Sequence, residues 1–82
     1  MNHVKLLFFA TLRDRAGMRS MDLDIPLDLT IQGLKEKISN DYPNLKESMK
    51  SVLITINREY AFDEAVIPQN AEVAMFPPVS GG

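Results

Sequence analysis

The sequence contains no cysteine and no tryptophan, and its single histidine is His3. The absence of cysteine excludes disulfide bonds, thiolate metal sites, iron–sulfur ligation, a cysteine nucleophile and a cysteine persulfide. Because His3 stands next to the start of the sequence, catalysis that needs a histidine base has no credible candidate. We therefore expect a chain that is not an enzyme on its own.

Long apolar runs and an excess of basic residues are also missing. No stretch approaches the roughly 18 to 20 consecutive apolar residues of a membrane-spanning helix. The net charge is −2 and the isoelectric point is near 5.2, so the chain lacks the basic surface that neutralises phosphates. We expect a cytoplasmic protein that binds neither membranes nor nucleic acid.

The composition is otherwise that of a small folded domain. The chain has 82 residues, of which 45% are hydrophobic and 24% charged. At this length folding buries only about 60 to 65% of the surface of the unfolded chain, so one modest core is expected. The acidic residues fall on solvent-facing or turn positions without a convergent set, and no metal site is predicted; they are Asp22, Asp24, Asp28, Asp63 and Glu64.

The first part of the chain predicts an antiparallel hairpin. Residues 4–11 are rich in branched and aromatic side chains, as in a β-strand. Residues 12–17 form a polar link whose Gly17 suits a positive φ. Residues 18–25 alternate, with Met21, Leu23 and Ile25 on the inward face.

An amphipathic helix is predicted next. Thr30 is a suitable N-cap, and Ile31, Leu34 and Ile38 recur at spacings of three and four. Pro43 stops the helix, because the residue before a proline is pushed out of the α region. The apolar stripe predicts that this helix packs on one face of a sheet.

Three more strands are predicted, at residues 51–57, 60–62 and 72–76. The element order therefore predicts an α+β domain in residues 1–76, with a mixed sheet of four to five strands crossed by one main helix. That pattern is typical of the β-grasp, or ubiquitin-like, fold. Residues 77–82 are predicted to form an extended, flexible C-terminal tail.

The predicted sheet has apolar residues on both faces. By strand alternation, the helix covers Val4, Leu6, Phe8, Val73 and Met75, while Leu7, Phe9, Ala74 and Phe76 lie on the other face. Since one helix cannot cover both faces, we expect an exposed apolar patch around Phe9, Tyr60 and Phe76 that docks a partner. The alternative is that strand twist tucks some of these side chains into the core.

The tail has a shape suited to a narrow channel. Pro77 and Pro78 stiffen its exit from the last strand. The residues after them decline in bulk; they are Val79, Ser80, Gly81 and Gly82. Glycine permits a backbone approach that a Cβ would block, so the carboxylate of Gly82 is a candidate reactive group for another protein's active site. A carboxylate is a poor electrophile and requires activation, most simply by attack on the α-phosphate of ATP.

The sequence closely resembles the sulfur-carrier (small) subunits of molybdopterin synthase, which belong to the ubiquitin-like sulfur carriers. The likeness covers nearly the whole chain. It rests on the Leu7-Phe8-Phe9-Ala10 start, the Ile56-Asn57-Arg58-Glu59-Tyr60 turn, and Ala71-Glu72-Val73-Ala74-Met75-Phe76 joined directly to Pro77-Pro78-Val79-Ser80-Gly81-Gly82. Within the turn, Arg58 and Glu59 are expected to vary.

The resemblance implies a carrier without a bound cofactor. An adenylyltransferase similar to ubiquitin-activating enzymes would consume ATP to adenylate Gly82, and a sulfurtransferase system would convert it to a thiocarboxylate. The tail, residues 77–82, would insert into the large subunit, within an expected heterotetramer of two small and two large subunits. There it would give sulfur to cyclic pyranopterin monophosphate, which becomes molybdopterin. Phe9, Tyr60 and Phe76 match the family's docking positions.

Two other functions share these features. A sulfur carrier for thiazole (thiamine) synthesis uses the same fold, the same Gly-Gly end and the same activation chemistry. A ubiquitin-like protein modifier would instead form isopeptide bonds to lysines. A β-grasp ferredoxin is excluded, because the sequence has no cysteine to ligate a cluster.

Overall fold

The computed structural model describes residues 1–78. The described strands are β1 (Asn2–Phe8), β2 (Ser20–Ile25), β3 (Leu53–Ile56), β4 (Glu59–Tyr60) and β5 (Glu72–Phe76). The helices are α1 (Ala10–Ala16) and α2 (Ile31–Asp41), with 3-10 turns at Pro43–Leu45 and Ser48–Lys50. None of the helices in this part of the chain is long and apolar enough to cross a membrane.

The five strands form one mixed sheet in the order β2-β1-β5-β3-β4. The predicted hairpin is confirmed, since β1 and β2 pair antiparallel with Val4 opposite Leu23. The last strand, β5, lies between β1 and β3, parallel to the first and antiparallel to the second. The predicted β-grasp fold is therefore confirmed, with its final strand at the centre of the sheet.

The main helix, α2, begins and packs as predicted. The Thr30 hydroxyl accepts a hydrogen bond from the Gly33 N–H at 3.1 Å, which caps the first turn. Ile31, Leu34 and Ile38 are all buried against the sheet. The helix ends at Asp41, just before the 3-10 turn that starts with Pro43.

The prediction for residues 9–17 was wrong. The strand ends at Phe8, and residues predicted as strand and polar link form helix α1 instead. The helix buries Leu12, with only 2% of its surface exposed. Gly17 ends the helix at φ 73°, and its N–H donates to the Arg13 carbonyl at 3.0 Å. The positive φ expected at Gly17 is thus confirmed, as the end of a helix.

The two faces of the sheet follow the predicted alternation. The predicted inward residues are buried; these are Val4, Leu6, Phe8, Val73 and Met75. Ala74 lies on the opposite face, as predicted, and only 6% of its surface is exposed. Its side chain is the smallest in the central strand, and its neighbours across the two ladders are Leu7 and Thr55.

A buried asparagine ties the start of β1 to the loop before β5. Asn2 is only 1% exposed. Its amide nitrogen donates to the carbonyls of Ile67 at 3.2 Å and Pro68 at 2.9 Å, and its oxygen accepts from the Asn70 N–H at 2.8 Å. All the hydrogen-bonding groups that this side chain buries are therefore paired, and the loop has a fixed position against β1.

Candidate functional site

The strand register assembles an apolar surface on the sheet face opposite α2. Leu53 of β3 lies opposite Phe76 of β5. Two residues further along β3, Thr55 lies between Ala74 of β5 and Tyr60 of β4. Side chains at these positions share one face because alternate residues of paired strands point the same way.

Phe9 joins this surface through the turn between β1 and α1. Its backbone is extended, at φ −121° and ψ 152°, and its N–H donates to the Met75 carbonyl at 3.2 Å. The following Ala10 has φ 52°, a left-handed conformation that is uncommon outside glycine and asparagine. This reversal holds the Phe9 ring against Phe76, with centroids 4.7 Å apart and ring planes inclined by 8°.

We define the docking patch as Phe9, Leu53, Tyr60, Phe76 and Pro77, which line one open groove of about 420 Å³. Phe9 is 41% exposed and Tyr60 76% exposed, while Phe76 is half-buried. The structure thus brings together the three predicted docking residues. Leu53 was missed by sequence reasoning, although its alternation with buried Val52 and Ile54 carries the signal.

Arg58 lines the same groove and was also missed as a site residue. It occupies the second position of the two-residue turn between β3 and β4, where Ile56 pairs with Glu59. Asn57 and Arg58 have φ values of 49° and 74°. Positive φ at both central residues is the pattern of a type I′ turn.

The root of the tail adjoins the docking patch. Pro77 is half-buried in the groove that contains Phe9 and Phe76, and Pro78 is exposed. The other predicted tail residues, Val79, Ser80, Gly81 and Gly82, lie outside the described residues. The chain therefore leaves the central strand beside the exposed aromatic side chains.

A second groove lies on the other side of the tail root. Pro77 and Pro78 line it together with Arg15 of α1 and Glu47. The Glu47 carboxylate lies 2.7 Å from the Lys50 ammonium. The hydrogen bond and the charge of Lys50 hold the pKa of Glu47 below its ordinary value of 4.5. This flank of the tail root thus carries charges of both signs.

Within residues 1–78, no group of three or more His, Asp or Glu side chains has an arrangement that could hold a metal ion. His3 contacts Asp24 at 2.8 Å and Asp22 at 4.0 Å on the exposed face of the β1–β2 hairpin. Asp63 instead pairs with Lys35 at 2.7 Å, which links α2 to the loop that follows β4. These contacts are structural and lie apart from the tail root.

Comparison with known proteins places the chain in a defined family. The model of the ThiS family matches residues 6–82. A molybdopterin synthase sulfur carrier subunit from Dictyostelium discoideum is 37% identical over 84 aligned positions, covering 99% of this chain and 98% of that protein.

Solved structures share the fold over the whole described domain. A putative molybdopterin converting factor, subunit 1, from Pyrococcus furiosus has a TM-score of 0.86 and 25% identity, covering 96% of this chain and 100% of its own. The protein SAMP1 from Haloferax volcanii has a TM-score of 0.82 and 28% identity, covering 98% and 99%. Related structures are called small archaeal modifier proteins.

Proposed function

Since this chain belongs to the ThiS family, whose model matches residues 6–82, we propose that it is the sulfur carrier subunit of a molybdopterin synthase. The observation that carries the proposal is the position of the tail root: Pro77 lines the groove formed by Phe9, Tyr60 and Phe76. A partner that covers this patch also contacts the root of the tail at Pro77. The curated relative that matches nearly end to end has this function in its name.

The reactive group in this proposal is the carboxylate of Gly82. An adenylyltransferase transfers the AMP moiety of ATP to it and releases pyrophosphate. Sulfide, or sulfur at the same oxidation level supplied by a sulfurtransferase system, then displaces AMP and leaves a thiocarboxylate. With no cysteine in the sequence, a persulfide on this chain is excluded as the carried form of sulfur.

The partner that accepts the sulfur is the large subunit of the synthase, which converts cyclic pyranopterin monophosphate to molybdopterin. Two sulfur atoms are needed for one dithiolene, which suits an assembly of two small and two large subunits. In that assembly the docking patch provides affinity and the tail provides reactivity. The carrier binds no cofactor of its own and acts in the cytoplasm.

Intact-mass measurement tests the loading step. Incubation with the activating enzyme, ATP and a sulfur source should raise the mass by the difference between sulfur and oxygen, located at Gly82 by fragmentation. Mild reduction should leave the change intact, because a thiocarboxylate has no S–S bond. A mass increase that mild reduction removes, or one located elsewhere in the chain, contradicts the proposal.

A second candidate function is that of a protein modifier, which the likeness to SAMP1 favours. Its Gly82 adenylate would be attacked by lysine amines, giving isopeptide bonds in place of a thiocarboxylate. Immunoblots of cell extract would then show a ladder of conjugates that survives denaturation and reducing agents. A loaded carrier that forms molybdopterin with the large subunit, and shows no ladder, supports the synthase function; a thiazole carrier would load but form no molybdopterin.

A further inference from the structure

The turn between β3 and β4 has an arginine at a position that favours glycine. In a type I′ turn the second central residue has positive φ, which glycine adopts without steric cost. Arg58 has φ 74° at that position. A side chain there is destabilising relative to glycine, because its Cβ crowds the neighbouring carbonyl oxygen.

Hydrogen bonds within the chain explain the asparagine of the turn but not its arginine. The Asn57 N–H donates to the Glu72 carbonyl at 2.8 Å, and the Asn57 side-chain oxygen accepts from the Glu72 N–H at 2.9 Å. Asparagine is also one of the residues that tolerate the left-handed region. Within residues 1–78, the Arg58 side chain makes no hydrogen bond or ion pair.

The position of Arg58 relative to the docking patch supplies a reason. Of the residues that line the patch groove in the described part of the chain, Arg58 alone is charged. The rest of the groove lining is apolar or hydroxylated, and it includes Phe9, Leu53, Tyr60 and Phe76. Protein interfaces commonly combine an apolar centre with polar and charged groups at the rim.

We propose that Arg58 forms an ion pair with a carboxylate side chain at the rim of the large synthase subunit, and thereby aligns that subunit on the docking patch. The inference rests on the proposed function, since it names a chemical feature of the same partner. The two-residue turn limits how far the arginine can move from the groove. The planar guanidinium has a donor geometry that matches a carboxylate.

Because Arg58 is exposed, this ion pair acts mainly on the rate of association. Charges at an interface rim steer the encounter, and salt screens them. Removing the charge should therefore slow association at low ionic strength and have little effect at high ionic strength. Replacing the residue by glycine should have the same effect on binding while relieving the backbone conformation.

The experiment measures association of the full chain with the large subunit by stopped-flow fluorescence at low and at high salt. Arg58→Gln is expected to slow association about two- to fivefold at low salt, a range that corresponds to an exposed ion pair. The charge-reversed Arg58→Glu should slow it further. Lys46→Gln, an equal charge change at an exposed site facing α2, is the control and should stay near the wild-type rate.

Arg58→Gly separates a binding role from a folding role. It should raise the melting temperature and slow association to the rate of Arg58→Gln. A lower melting temperature would show that the arginine stabilises the turn, and the inference would be wrong. Equal association rates for Arg58→Gln and wild type, or a loss that persists at high salt, would also overturn it.

The association experiment gives different results if this inference fails and if the proposed function fails. If wild type binds the large subunit and Arg58→Gln binds equally fast, only the ion pair is excluded. If wild type does not bind the large subunit at all, both are rejected. Normal binding with the predicted salt-dependent loss supports both.

Discussion

The rings of Phe9 and Phe76 stack in parallel, with centroids 4.7 Å apart and planes inclined by 8°. Phe9 directly follows β1 and Phe76 is the last residue of β5, and the two strands lie side by side in the sheet. Such an aromatic pair is worth about 0.5 to 1.5 kcal/mol beyond the area it buries. The stack therefore holds the last residue before Pro77 in place, and with it the root of the tail.

Substitution of Phe9 by aspartate should weaken binding to the large subunit far more than it weakens folding, which loses only the stack with Phe76. Phe9 is 41% exposed, so a carboxylate there stays solvated in the free domain. In the complex an aromatic anchor is lost, which typically costs about 2 kcal/mol or more, roughly thirtyfold in affinity. Titration calorimetry with the purified large subunit measures the change.

The neighbouring Phe8 offers a matched control. It carries the same side chain on the opposite face and is only 2% exposed. Phe8→Asp places an unpaired carboxylate in the core and should unfold much of the protein. If Phe9→Asp lowers the melting temperature as much as Phe8→Asp, the assignment of the docking patch is wrong.

Removal of Gly82 should abolish sulfur loading and leave stability unchanged. The core described here is complete with Met75 of the central strand, so the change in unfolding free energy should stay within about 0.5 kcal/mol. Thermal melts and intact-mass assays on the same sample measure both effects. A large fall in melting temperature would show that the end of the tail is part of the folded domain.

Asn2→Ala should destabilise the domain by about 2 to 4 kcal/mol. The substitution leaves the buried carbonyl of Ile67 without its partner, which costs about 1 to 3 kcal/mol, and removes the part-buried hydrogen bonds to the Pro68 carbonyl and from the Asn70 N–H. Urea denaturation measures the loss. Asn2→Asp, which keeps the oxygen acceptor but loses the donor, should also destabilise; wild-type stability for both variants would contradict the buried network.

Lys50→Met should raise the pKa of Glu47 towards its ordinary value of 4.5. The hydrogen bond and charge of Lys50 lower the pKa in the folded protein, so the pair stabilises the fold above pH 4.5. That contribution is lost as the pH falls through the lowered pKa. Carbon-detected NMR titration of the Glu47 carboxyl follows the change, and equal titration curves in the two proteins would exclude the interaction.

The sequence predicted the elements whose signals are local and periodic. Thr30 marked the start of α2 because its side chain is a strong N-cap, and Ile31, Leu34 and Ile38 marked the buried stripe. Alternation along β1 and β5 predicted which aromatic residues face away from α2. Phe9 and Phe76 could therefore be assigned to one patch before their contact was known.

The first helix could not be predicted in the same way. Its N-cap position is Phe9, which offers no side-chain hydrogen bond, and Ala10 enters the helix at a positive φ. The apolar run of the strand continues into the first turn, so the pattern shows no boundary. The spacing of Leu12 and Ala16, followed by Gly17, was the available signal for a short helix.

The position of Arg58 beside the docking patch depends on strand pairing between distant parts of the chain. A single sequence does not show that pairing. Its left-handed conformation follows from the two-residue connection that pairs Ile56 with Glu59. Its place beside Phe76 depends on β5 lying next to β3. The residues next to Arg58 in the sequence therefore predict a turn. They do not predict that this turn lies beside the docking patch.

The central position of β5 has a consequence for synthesis of the protein. Strands β1 and β3 are made before β5, their shared neighbour, so neither has its full set of sheet hydrogen bonds until residue 76 has been added. A nascent chain that stops before β5 lacks Val73 and Met75 of the core and is expected to stay unfolded. Translation that is interrupted before β5 is therefore expected to yield substrates for proteolysis, and not folded domains that occupy the partner without a reactive tail.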